Sequence, residues 1–126
     1  MSRPEPELVF RTFRFAAEIR KFVNELPRTL SNREDSRQVI RSSGSVAANY
    51  VEAQEGTSRK EFFYRIRICR KESRESNLWL RLLDTGSESR TAAERDRLAG
   101  EADQLKRIFS AIAAKDRLDL PAQRSS

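Results

Sequence analysis

Apolar residues recur along this chain at helical spacing, and four segments can be read from them. Over residues 8–26, Leu8, Phe15, Ile19, Phe22 and Leu26 lie seven, four, three and four positions apart, a single stripe on one face of a helix. Pro27 closes that segment, because proline has no amide hydrogen to donate and its ring crowds the preceding turn. A second helix is expected over residues 32–55, with Ser31 as its N-cap and Glu34 completing a capping box. Its inward row is Val39, Ser43, Val46 and Tyr50, flanked by Ile40, Ala47, Val51 and Gln54. The small residues of "RSSGSVAA" mark a place where a neighbouring helix backbone comes close, and Gly56 is suited to the left-handed conformation that ends a helix.

The third segment, residues 58–83, starts at a second capping box formed by Ser58 and Glu61. Phe62, Ile66, Cys69, Ser73, Ser76, Leu80 and Leu83 form its inward row, while Tyr64, Ile68, Leu78, Trp79 and Leu82 fall on other sides. A helix of a monomeric bundle needs only one apolar stripe, so these five residues are expected to meet another subunit. The alternative is that Trp79 and its neighbours cover the bundle's end. A fourth helix is expected over residues 90–115, with Leu98, Leu105, Ile108 or Phe109, and Ile112 facing inward, and residues 118–126 read as a disordered tail. Four helices with short connections imply an all-α fold, a single antiparallel up-and-down four-helix bundle spanning residues 1–126.

Composition narrows the chemistry. Only four glycines and four prolines occur in 126 residues, too few turn formers for a sandwich or barrel. There is no histidine, which removes His-based acid–base catalysis, Ser-His and Cys-His nucleophiles, and the Glu-x-x-His pairs of di-iron bundles. Glu52, Glu55, Glu72 and Glu75 are the carboxylates left for a metal, a set without imidazole, and no metal or cofactor is expected. "SSGS" at residues 42–45 lies within a helical pattern with no preceding strand, so it is no nucleophile elbow. No enzymatic activity is expected. Cys69 is the only cysteine and reads as a small core residue. With no apolar run long enough to span a bilayer or serve as a signal peptide, a cytoplasmic protein without membrane contact is expected.

Charge is unevenly placed. The chain carries a formal charge of +6, and residues 58–83 hold eight Lys/Arg against three acids. At 100° per residue, Lys60, Arg67, Arg70, Lys71, Arg74 and Arg81 share one side of that helix, and Glu61, Glu72 and Glu75 another. Such a face can follow a phosphate backbone, or it can be a solvated surface with intrahelical pairs such as Glu61 to Arg65. Arg33, Arg37 and Arg41 form a second basic row, whose repulsion calls for an anion or for acids on a neighbouring helix or subunit. Asn49 and Glu52 are expected to face the third helix, where Ser73, Ser76 and nearby arginines would complete a buried polar network that fixes register.

Within residues 42–83, Ser45, Asn49, Glu52 and Gly56 precede a phenylalanine-led helix carrying Lys71, Glu72, Ser73, Glu75, Ser76, Trp79 and Leu80. This pattern resembles a family of small bacterial four-helix bundles that includes proteins encoded in intervening sequences of 23S rRNA genes. The resemblance covers about residues 8–115 and implies a bundle assembled as a ring-like homopentamer without enzymatic activity. A distantly similar accessory protein of diversity-generating retroelements, also a basic pentamer, engages nucleic acid and a reverse transcriptase, which extends RNA or DNA binding to this chain by analogy. Two functions of different class follow: a basic oligomer that binds structured nucleic acid through its backbone, and a scaffold that binds another protein.

Overall fold

The structure, a computed structural model, describes residues 6–55 and 58–118. Four helices follow one another, α1 (Pro6–Val23), α2 (Leu30–Gln54), α3 (Arg59–Leu82) and α4 (Ser89–Leu118), with no strand among the described residues. The cross-helix bonds fix the direction of packing. Between α2 and α3, Ser42 meets Ser76 at 2.7 Å and Cys69 Sγ lies 3.6 Å from the Val46 carbonyl. Between α3 and α4, Asn77 donates to the Ala99 carbonyl and Arg67 to Asp116. Arg11 and Glu101 join α1 to α4 through two bonds of 2.7 and 2.9 Å. With Glu18 and Arg97 as a second α1–α4 pair, the residue number rises on one helix as it falls on the other in each case, so the bundle is antiparallel and up-and-down.

α1 ends at Val23, three residues short of the expected Leu26. The chain leaves the helix through a tight turn in which the Glu25 and Leu26 amides bond the Phe22 and Val23 carbonyls, and Leu26 still reaches the core. α2 starts earlier than its sequence pattern implied. Thr29, not Ser31, is the N-cap, its hydroxyl accepting from the Asn32 amide at 3.1 Å. Ser58 caps α3 as expected, but the Glu61 side chain accepts from Arg65 instead of closing the box. Gly56 and the tail from residue 119 onward lie outside the described residues.

The core gathers Leu8, Phe15, Ile19 and Phe22 of α1, Val39, Val46 and Tyr50 of α2, Ile66, Cys69 and Leu80 of α3, and Leu98, Leu105 and Phe109 of α4. Phe62 begins the inward row of α3, packing against the core while only partly buried, and it meets the buried Phe63 edge-on at 5.0 Å. On α4 it is Phe109 that is fully buried, with Ile108 and Ile112 at the core's edge. Burial pushes the Cys69 thiol up to about 12, so it stays neutral and acts as a small apolar residue. α2 packs extensively on α3 and α3 on α4, while α1 lies mainly along α2 and touches α4 lightly.

Buried polar groups pin one end of the bundle. Asn32 donates to the Pro27 carbonyl at 3.0 Å and to the Asp84 carbonyl at 2.8 Å, and accepts from the Asp84 amide at 2.9 Å. One amide side chain therefore ties the α1–α2 loop to the α3–α4 loop. In the latter, Gly86 takes a positive φ of 74° beside the Pro27 ring.

Candidate nucleic-acid interface

Along α3 the acids and the free cations are separated. Glu61 pairs with Arg65, Glu72 with Arg41 and Lys71, and Glu75 with Arg41. Each acid of α3 is thus held on the side facing α2. On the side toward α4, Arg67 and Arg59 pair with Asp116. Among the described residues no carboxylate lies within ion-pairing distance of Lys60, Arg70, Arg74 or Arg81, although Arg81 reaches Asn77 at 3.5 Å. Arg70 and Arg74 lie one turn apart and Arg81 two turns further, a row of about 17 Å along the helix. Of the six cations that share this side in sequence, Arg67 and Lys71 are neutralised and four remain.

The second basic row divides as well. Arg41 reaches across to α3, 3.2 Å from Glu72 and 3.6 Å from Glu75. Arg33 and Arg37 are exposed and unpaired among the described residues.

The expected polar network of Asn49, Glu52, Ser73 and Ser76 does not form as one unit. Glu52 is exposed on the side of α2 opposite Tyr50, because two residues along a helix rotate a side chain by 200°. Asn49 does meet α3, accepting from Arg65 at 2.9 Å while donating to Ser45. Ser76 bonds Ser42 instead, and the buried Ser73 hydroxyl has no partner among the described residues. The buried carboxylate is Glu72, 5% exposed, with Arg41 as its principal partner. Sequence spacing held that signal, since Glu72 lies three residues after Cys69 and four before Ser76 on the inward flank. Glu52→Ala is therefore expected to change stability by less than about 0.5 kcal/mol. A melting temperature lowered by several degrees would contradict the exposed placement.

Of the five residues expected at a subunit interface, Tyr64, Leu78 and Leu82 are exposed on the outer face of α3 and Ile68 is half-buried. Trp79 is displaced from that set. It packs against the core with its indole nitrogen enclosed and unpartnered among the described residues. A further apolar surface, unmarked in the sequence reading, lies between α1 and α2. Phe10 and Phe13 stand 61% and 64% exposed beside a groove of about 640 Å³. Gly44, Ala47 and Ala48 line its α2 side, so only part of the small-residue run lies against α3. A Cβ on Gly44 would sit 3.1 Å from the Arg20 guanidinium.

Among the described residues no group of three His, Cys, Asp or Glu is placed to hold a metal, and no helix is long and apolar enough to cross a membrane. A family model described as 23S rRNA-intervening sequence protein matches residues 7–113. The chain belongs to the 23S rRNA-intervening sequence protein family. A solved relative of this family member is similar along most of both chains. It is a protein with unknown function from the S23 ribosomal protein family of Bacteroides thetaiotaomicron VPI-5482, with 28% identity and a TM-score of 0.68. The similarity covers 83% of this chain and 96% of that one. No curated protein matches the chain.

Proposed function

We propose that this member of the 23S rRNA-intervening sequence protein family is a non-enzymatic, basic homo-oligomer that binds structured nucleic acid through its backbone. One observation carries the reading: the acids of α3 are all engaged on the side toward α2, leaving Lys60, Arg70, Arg74 and Arg81 as an uncompensated row on the other side. A solvated face would distribute pairs along its length, whereas a row of free cations repels itself and gains energy from phosphates through counterion release. Tyr64 is the single aromatic side chain beside the row, too few for a stacking platform, so contacts run mainly to phosphate. The names of the family and of its solved relative make ribosomal RNA the first probe.

The occupant of the apolar surfaces is a second copy of this chain. Tyr64, Leu78 and Leu82 are separate exposed apolar residues on the outer face of α3, beside the cationic row, and the α1–α2 groove lies on a different face. Apolar patches on separate faces make a heterologous contact, the type that closes rings such as a pentamer.

The test is fluorescence anisotropy with a ribosomal RNA hairpin and an unrelated RNA over a salt series, with light scattering on the same samples. The wild type is expected to be an oligomer and to bind with a steep salt dependence. Arg70→Glu with Arg74→Glu is expected to weaken binding by about tenfold or more and to reduce the salt slope by about two. Unchanged affinity and slope would overturn the α3 interface, and a monomer that binds neither RNA would leave the protein-scaffold alternative.

A further inference from the structure

A second basic feature lies away from the α3 row, at the corner where α1 turns into α2. The loop and the first turns of α2 enclose a cleft of about 400 Å³ whose lining includes Arg28, Arg33 and Arg37 together with Thr29 and Ser36. None of its lining residues is acidic. Val23, Pro27 and Ile40 supply an apolar wall, and lower polarity beside a charge strengthens its field.

Apart from the α3 row, many of the arginines elsewhere are paired. Arg11, Arg41, Arg59, Arg65, Arg67, Arg97 and Arg107 each pair with a carboxylate. Arg41, the third member of the row, has Glu72 and Glu75 opposite it. Arg33 and Arg37, one turn apart on the same face, and Arg28 have no such partner among the described residues. Like charges at this spacing destabilise a helix unless an anion joins them. Their guanidinium groups can offer paired N–H donors to oxygens of one anion, and the Thr29 and Ser36 hydroxyls lie in the same cleft.

We propose that the α1–α2 corner cleft is a phosphate-binding site, with Arg28, Arg33 and Arg37 as its charged donors. The phosphate is carried either by a small molecule such as a nucleotide or by the backbone of a nucleic acid. The Asn32 clasp fixes the cleft's geometry, because Asn32 lines the cleft while holding the Pro27 carbonyl and the α3–α4 loop. This site stands independently of the α3 row, since its residues and its face are different.

The test is a titration of ¹⁵N-labelled full chain, followed by amide shifts, with inorganic phosphate, a nucleoside monophosphate and an RNA hairpin. Sodium chloride at matched ionic strength is the control. Phosphate is expected to move the amides of residues 28–40 in a saturable manner. Arg33→Gln with Arg37→Gln should weaken that response by about tenfold or more, and Arg70→Gln with Arg74→Gln should leave it unchanged. Saturation by phosphate or mononucleotide but not by the hairpin supports a small ligand, and saturation by the hairpin supports a backbone phosphate. Shifts matched by chloride, or indifferent to the Arg33/Arg37 pair, would overturn the site. In that event RNA binding that still depends on Arg70 and Arg74 leaves the α3 reading intact. Conversely, saturable phosphate uptake without any RNA binding removes the α3 reading and keeps the cleft.

Discussion

Replacing Phe109 with alanine is expected to remove about 3–5 kcal/mol of folding stability, the range for deleting a fully buried aromatic ring. The ring comes from α4 and lies 5.8 Å from that of Tyr50 on α2, tilted by 54°. It therefore joins two helices that are not neighbours in the circuit of the bundle. Its loss removes apolar burial and the ring contact together, and it leaves a void lined by rigid helices that close only in part. Urea unfolding followed by circular dichroism would measure it, with the slope of free energy against urea unchanged and the midpoint lowered. Ile108→Ala, one position away at the core's edge, should cost clearly less. Equal losses at the two positions would show that the ring of Phe109 is not the central contact.

Asn32→Ala is the second large effect, about 2–4 kcal/mol, for a residue with almost no apolar surface to lose. Its three bonds satisfy the Pro27 carbonyl and both the backbone amide and the carbonyl of Asp84, and a buried polar group left unpaired costs about 1–3 kcal/mol. Asn32→Asp tests the direction of those bonds. A carboxylate can still accept from the Asp84 amide, but it cannot donate to either carbonyl and sets a negative charge against them. It should be at least as harmful as alanine in thermal unfolding. A variant as stable as wild type would mean that the clasp contributes nothing to folding.

The bundle was legible in sequence because each inward stripe is a local property. Phe15, Ile19 and Phe22, or Cys69, Ser76 and Leu80, need only helical geometry to fall on one face. What escaped detection depends on how helices meet. Ser31 with Glu34 has the form of a helix start, yet Thr29 is the cap, and a contact with Asp84 some fifty residues away holds the adjacent Asn32 in place. The spacing that places Asn49 toward α3 does not carry Glu52 with it, since Glu52 lies opposite Tyr50, while Glu72 has the spacing of a buried residue although it shares its side of α3 with Glu61 and Glu75. Phe10 and Phe13 fall outside the α1 stripe, and the groove beside them arises only once α1 lies along Gly44, Ala47 and Ala48. The basic rows were visible, but only the partners of Arg41, Arg67 and Lys71 show which cations are left free.

The light packing of α1 against α4 has a consequence for how the chain leaves the ribosome. α1 is synthesised before any of the helices that cover it, so Phe15, Ile19 and Phe22 emerge without their partners. The Arg11–Glu101 and Glu18–Arg97 pairs join residues about eighty to ninety positions apart, and they can close only after the first half of α4 has emerged. α2, α3 and α4 form the consecutive, extensively packed part of the bundle. The first helix made can dock on α2 early, but its docking surface is complete only when α4 arrives, so a nascent chain carries part of its phenylalanine stripe uncovered until then.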